Sequence, residues 1–259
     1  MRIATFNING VKARLEGLAD WLGTSAPDVA LLQEIKSLDE TFPRERFEDL
    51  GYGVKTHGQK GFNGVAILSR LPLEDVVRGL PGDPNDEQAR WIEATAIGRK
   101  AVRVCCLYLP NGNPAPGEKY DYKLVWMKRL QERALELLAA EEPAVMAGDY
   151  NVIPQDEDAA RPDAWREDAL GRPETRAAFR EILNLGFTDA FRARHQDSGH
   201  YSFWDYQRNA FDRNDGIRID HLLLTPQAAD LMSGCWIEAE LRGRERPSDH
   251  TPVWIELDA

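Results

Sequence analysis

Short apolar runs recur along the chain, and most of them end on a side chain able to do chemistry. Ile3-Ala4-Thr5-Phe6 runs into Asn7, and Val29-Ala30-Leu31-Leu32-Gln33 runs into Glu34. Val145-Met146-Ala147-Gly148 leads to Asp149 and Asn151. Asp220 follows Ile217-Arg218-Ile219 and precedes His221-Leu222-Leu223-Leu224, and Asp249-His250 stand before the last run. A carboxylate at the end of an apolar strand is costly to desolvate unless it is paired or holds a cation. One such residue is ordinarily a cap or turn. Five in corresponding places point to a site assembled at strand ends, where α/β folds build them.

The runs alternate with helical patterns. Strands are predicted at Ile3–Phe6, Asp28–Gln33, Gly64–Leu68, Trp91–Ile97, Ala101–Leu109, Ala144–Ala147, Ile217–Leu224 and Pro252–Leu257. Leu15, Leu18 and Leu22 fall on one face of a helix for which Gly23 is the predicted stop. Leu124, Met127, Leu130, Ala134 and Leu138 mark a longer helix over Glu118–Ala140, ended by Pro143. Residues 155–175 are polar and interrupted by proline, and read as a surface excursion around short helices. There is no short repeat, no low-complexity linker and no break in composition. One layered α/β domain spanning residues 1–259 is therefore expected.

Charge narrows the function. The chain has 32 Lys+Arg against 43 Asp+Glu, a net −11, so binding of polyanions by overall charge is excluded. A nucleic-acid site has to come from a local patch or from metal ions. Three cysteines, two of them adjacent, make no disulfide framework and suggest a reducing compartment. The N-terminal residues have no apolar stretch of signal-peptide length, and no run of about 18 apolar residues exists. A cytoplasmic address and no membrane contact are expected. CxxC, HExxH, Gly-rich phosphate loops and GxSxG are all missing, which leaves zinc, nucleotide-cofactor and serine-hydrolase chemistry without support.

The strand-end residues have a chemical logic of their own. Glu34 offers oxygen ligands of the kind Mg²⁺ takes alongside water and substrate phosphate. Asp149 and Asn151 are two apart and on an extended chain point to one side. His250 is suited to hydrogen-bond a phosphoryl oxygen, with Asp220 holding its other ring nitrogen. His57, His195, His200 and His221 read as surface or packing histidines.

In their order, Asn7-Ile8-Asn9-Gly10, Leu32-Gln33-Glu34-Ile35-Lys36, the run from His57 to Ser69, Tyr108-Leu109-Pro110-Asn111, Gly148-Asp149-Tyr150-Asn151, Arg218-Ile219-Asp220 and Ser248-Asp249-His250-Thr251-Pro252 resemble the exodeoxyribonuclease III family of abasic-site endonucleases. The likeness runs from the first strand to the last. Single motifs are shared across the wider endonuclease/exonuclease/phosphatase superfamily; the ordered set, and the stretch His57-Gly58-Gln59-Lys60-Gly61-Phe62-Asn63-Gly64 in particular, is specific. The resemblance implies a four-layered α/β sandwich of two packed mixed sheets with helices outside. It implies Mg²⁺- or Mn²⁺-dependent hydrolysis of duplex DNA, 5′ to abasic sites and at 3′ ends, by a protein expected to be monomeric.

Carried over motif by motif, the resemblance makes Glu34 the chief metal ligand, with Asn7, Asp149, Asn151 and Asp249 around the ion. Asp149 positions or deprotonates the attacking water or assists the leaving group, Asn151 and His250 bind phosphate oxygens, Asp220 orients His250, and Tyr108 hydrogen-bonds the phosphate or aids the leaving oxygen. Asn9, Lys60, Asn63, Asn111, Phe203, Arg208, Phe211, Ile217 and Ile219 are the implied DNA contacts, with Phe203, Ile217 and Ile219 forming a pocket for a base-less sugar. Some family members carry Trp where this chain has Ile217. Arg208, Arg213 and Arg218 around one loop, and Arg242, Arg244 and Arg246 before another, form the expected cationic track, giving modest, salt-sensitive binding that gains from metal. Two rival readings use the same residues: a superfamily phosphoesterase acting on RNA, a phosphoinositide or sphingomyelin, and a catalytically dead DNA-binding module.

Overall fold

The computed structural model describes all 259 residues and has two six-stranded sheets packed face to face. The first runs β11 (Met232–Ile237), β12 (Val253–Leu257), β1 (Arg2–Asn7), β2 (Val29–Gln33), β4 (Val65–Ser69), β3 (Gly53–His57). The second runs β5 (Leu73–Arg78), β6 (Trp91–Ile97), β7 (Ala101–Tyr108), β8 (Ala144–Asp149), β10 (Asp220–Leu224), β9 (Thr188–Asp189). Both are mixed. β1 and β2 are parallel, as are β7 and β8, and every other pair is antiparallel.

Strand parity builds the layers. Ile3, Val29, Leu31, Val65, Ile67, Val253 and Ile255 of the first sheet meet Ile92, Ala94, Val104, Cys106, Val145, Ala147, Leu222 and Leu224 of the second. The alternate residues face outward. Ala4, Phe6, Ala30 and Leu32 are covered by helix α1 (Leu15–Ser25) through Leu18, Trp21 and Leu22, and Phe47 of the short α2 (Arg44–Glu48) joins them. Trp91, Cys105, Leu107, Met146 and Leu223 are covered by α3 (Glu118–Ala139) and α4 (Pro173–Asn184), with Trp126, Met127, Leu130, Phe179 and Ile182 as the contacts. Side chains three and four apart on each helix make the apolar stripe. Each one fully buried contributes about 1.5–3 kcal/mol. The expected four-layered sandwich is the observed architecture.

The same parity places the polar ends. On β1 the inward residues are Ile3, Thr5 and Asn7. On β8 they are Val145, Ala147 and Asp149, and on β10 Asp220, Leu222 and Leu224. Asp149 and Asp220 are direct register partners, and Tyr108 sits opposite Asp149 on its other side. The inward face turns from apolar to polar at one end of both sheets. At that end no side chain fits position 148, where a Cβ would stand 1.8 Å from the Leu107 carbonyl oxygen; this explains the glycine before Asp149.

Several sequence expectations are corrected. Gly23 lies inside α1; the helix continues to Ser25 and stops at Ala26, whose φ of 50° is left-handed, ahead of Pro27. The run from Ile217 becomes strand only at Asp220, because Ile217 pairs with Phe203 by an isolated bridge. β3, β5, β9, β11, α2, α4 and the four-residue α5 (Pro226–Ala229) are additional to the elements expected from sequence. β5 has an exposed, bulged edge pattern without apolar alternation, so it carries no strand signal.

Candidate active site

The Asn7 side-chain amide spans the gap between the sheets. Its Nδ2 donates to Glu34 Oε1 at 3.0 Å and to Asp149 Oδ2 at 2.9 Å. Asp220 lies beside Asp149, and its Oδ2 accepts from the Ser202 hydroxyl at 2.6 Å and from His250 Nδ1 at 2.8 Å. That bond leaves His250 Nε2 facing inward, 3.7 Å from Asp149 Oδ2. Phe203 packs edge-on against the His250 ring, with centroids 5.0 Å apart. Asp249 accepts from Asn9 Nδ2 at 3.0 Å.

Asn151 reaches this group by a turn. The expectation of an extended chain from Asp149 to Asn151 fails: Asn151 has φ 48°, and its backbone N–H donates back to Asp149 Oδ1 at 2.9 Å. Asn accepts this left-handed geometry at lower cost than most residues. Its side-chain Nδ2 donates to the Leu109 carbonyl and its Oδ1 accepts from Asn111 Nδ2 at 3.0 Å. Glu34, Lys36 and Asn9 also have φ near 50°, at a cost of about 1–3 kcal/mol each. Main-chain bonds hold the strained loop, with Gly10 donating to the Glu34 carbonyl, Ile35 to Gly64 and Lys36 to Asn63.

Electrostatics follow from burial and neighbours. Burial opposes the charged form of His250, but Asp220 and Asp149 overcome it and push its pKa up, so the imidazole is held protonated. Burial pushes the Asp149 carboxyl up against the pull of His250. Glu34 is also raised by burial, yet hydrogen bonds from Asn7 and Lys36 bring it below the usual range. The Tyr108 hydroxyl is driven well above its ordinary value by burial and by the Glu34 and Asp149 charges.

Among Glu34, Asp149 and Asp220 the cationic side chains in direct contact are His250 and Lys36, the latter 2.8 Å from Glu34, with buried Lys123 acting on Asp149 from farther off. Asp220 Oδ1 is buried with no partner. Ligand atoms of Asp149, Asp220 and His250 lie within 4.8 Å of one another and could hold a metal ion. The wider donor set, Glu34, Asp149 and Asp249 with the side chains of Asn7 and Asn151, is carboxylate and carboxamide oxygen, which suits a hard divalent cation and leaves the protonated imidazole as a hydrogen-bond donor.

The implied DNA contacts divide into two groups. Lys60, Arg208 and Asn111 are exposed, and next to Lys60 stands Phe62, not among the implied contacts, which at 73% is the most exposed large apolar side chain. Phe203 and Ile217 line a cavity of about 360 Å³ with Trp165, Arg161, Arg208 and Arg213. Asn9 is half-buried, held between Asp249 and Lys36, and the remaining positions pack against the protein. Asn63 is buried, its amide donating to Gln59 at 2.9 Å. Ile219 packs with Tyr120, Ile153 and Ala159 in a small core. Phe211 packs edge-on against Trp204. The cationic track also loses two members. Arg218 has no exposed surface and pairs with Asp158 at 2.7 Å and Asp189 at 2.9 Å. Arg242 is 8% exposed and donates to the Trp204 carbonyl.

Sequence reasoning misses Lys36, Ser202, Arg90 and Lys123. Arg90 lies over the Tyr108 ring, 4.8 Å from its centroid, and donates to the Tyr108 carbonyl. Lys36 alone carries a signal, being two residues from Glu34.

A two-sheet sandwich whose inward faces end in a buried carboxylate–imidazole cluster defines the class: the chain belongs to the Endonuclease/Exonuclease/phosphatase family, whose model matches residues 4–250. Within it, this is a member of the exodeoxyribonuclease III and AP endonuclease branch. It is 37% identical to exodeoxyribonuclease III of Haemophilus influenzae, over 99% of this chain and 100% of that one. An AP endonuclease from Archaeoglobus fulgidus superposes with a TM-score of 0.95 at 37% identity, covering 100% of each chain. The 3′ phosphatase NExo from Neisseria, in a structure bound to product DNA hairpin, superposes at 0.94 with 37% identity and the same full coverage.

Proposed function

We propose that the protein is a single-domain DNA-repair phosphodiesterase that uses Mg²⁺ or Mn²⁺ to incise duplex DNA 5′ to abasic sites and to remove nucleotides or blocking groups from 3′ ends. The observation that carries this reading is the Asn7 bridge. It draws Glu34 and Asp149 together beside His250, leaving a surplus of buried negative charge where the two sheets end. That surplus repels a phosphodiester until a divalent ion offsets it.

Glu34 and Asp149 would hold the ion, with Asn7, Asn151 and Asp249 beside it. A cation held there would supply positive charge against that developing on the non-bridging phosphate oxygens. The Nε2–H of protonated His250 donates to a phosphate oxygen, and the Asn151 amide supplies a second donor. His250 and Asn151 are themselves buried, and fixed donors of that kind need no reorganisation as charge develops. Asp220 keeps the imidazole oriented and charged. Asp149 takes the proton of the attacking water, and the Tyr108 hydroxyl, held protonated, offers a hydrogen to the leaving oxygen. Lys60, Phe62 and Arg208 meet the duplex backbone, and the cavity beside Phe203 and Ile217 takes the sugar whose 5′ phosphate is cut. Exodeoxyribonuclease III of Haemophilus influenzae and the DNA-bound Neisseria phosphatase support duplex ends as substrate, and the Archaeoglobus protein supports abasic sites.

The test is a duplex with one abasic analogue beside a recessed-end duplex, each with Mg²⁺ and with chelator. Incision 5′ to the lesion that stops with chelator is expected. Asp149→Asn and His250→Ala should each slow it at least about a hundredfold. Wild-type rates in those variants, or turnover of an inositol phosphate with none on DNA, would overturn the reading.

A further inference from the structure

Lys123, on the second turn of α3, has no exposed surface. Its Nζ donates to three main-chain carbonyls: Asn151 at 2.6 Å, Ala169 at 3.0 Å and Asn111 at 3.1 Å. An ammonium has three hydrogens, and all three are used. No carboxylate touches it. A charge buried without a direct counterion is costly, and what offsets that cost is the set of three bonds, since without the ammonium three buried carbonyls would lose their donor.

Those bonds tie together segments far apart in the sequence: the loop after β7, the turn after β8 and, through Ala169, the 155–175 excursion. The first two supply Asn111 and Asn151, whose side chains bond each other at 3.0 Å. Anchoring the Asn151 carbonyl fixes the peptide that follows its left-handed φ, and with it the direction of its amide. A second observation marks the route as specific. Gly112 has φ 89°, and a Cβ there would stand 2.7 Å from Lys123 Cδ, so the loop leaves room for this side chain only as glycine.

We propose that Lys123 is a positioning residue for the reaction: by holding the carbonyls of Asn111 and Asn151, its ammonium aims the Asn151 side-chain amide at the phosphate. The inference rests on the proposed role of Asn151, and its test separates the two. Kinetics on the abasic duplex with Mg²⁺ would compare Lys123→Met, Lys123→Gln, Asn151→Ala and the double variants, well below each melting temperature. Lys123→Met should lower kcat about tenfold or more with KM within about threefold. Lys123→Gln keeps a donor and should recover part of that loss. In the Asn151→Ala background either Lys123 change should cost less than about twofold, because the amide it aims is gone.

A lysine that only supports the fold predicts the opposite, with losses that multiply in the double variants and no partial recovery by glutamine; that result overturns the inference. If Asn151→Ala is impaired while Lys123→Met turns over normally, the inference fails and the function stands. If Asn151→Ala itself is unimpaired, the role of Asn151 fails first. Should Lys123→Met not fold, the cycle built on Lys123→Gln separates multiplying from non-multiplying losses in the same way.

Discussion

Two buried charge clusters lie almost side by side on the chain and differ in how their charge balances. In one, Arg218 and Arg192 face Asp158 and Asp189, two cations against two anions, with His221 closing the group. In the other, Asp220, two residues on, joins Asp149, Glu34 and Asp249 around His250 and Lys36. The first is settled by the protein alone, whereas the second is left anionic. Residue type does not separate them, since both are built of aspartate, histidine and a base. Parity does: Asp220 points between the sheets, and His221 points outward against Phe179 and Tyr150.

The largest expected effect is on the balanced cluster. Arg218→Met leaves Asp158 and Asp189 buried without their partner and should cost about 3–5 kcal/mol of stability in urea melts. A loss below about 1 kcal/mol would erase the distinction drawn between the clusters.

His221 gives the next. Arg218 donates to its Nδ1, so that nitrogen carries no proton, and Nε2–H donates to the Val152 carbonyl at 2.9 Å. Burial, and then the Arg218 charge, pull its pKa to about 4 from an ordinary 6.5. The unfolded chain therefore binds more protons between those values. Stability from neutral His221 is whole above pH 6.5 and drains as the pH falls toward 4, by about 3 kcal/mol. Asp189, whose pKa is lowered by Arg218 against burial, loses its share only below about 3.8. Melts across pH 7 to 4 should show the first loss, and His221→Gln should flatten it.

Stability should respond in opposite directions to one substitution in each cluster. Asp149→Asn removes surplus buried charge, so the metal-free protein should melt at the same temperature or up to a few degrees higher. Asp189→Asn should melt lower. A fall in both would mean that the active site is as balanced as its neighbour. The smallest effect is expected at the exposed rim, where Arg208→Ala should raise KM a few-fold and reduce the salt dependence of binding by about one ion.

The contrast also shows what the sequence could carry. The two sheets are legible because inward apolar residues alternate along β1, β2, β8 and β10, and the gathering of Asn7, Glu34, Asp149, Asp220 and His250 is legible because each ends or borders such a run. Arg218 misleads because its neighbours in sequence belong to an exposed loop, while its partners arrive from 29 and 60 residues away. Lys123 is invisible for a related reason: its acceptors are main-chain carbonyls, which every residue has. Periodicity reports which way a side chain points, not what distant backbone it will meet.

Asn7 belongs to one sheet and Asp149 and Asp220 to the other, so neither half of the molecule holds a working centre by itself. A nascent or partly unravelled chain in which the halves have not docked has nothing with which to cut. For a protein that severs genetic material, this makes nicking activity conditional on finished assembly and spares the cell damage from its own incomplete copies.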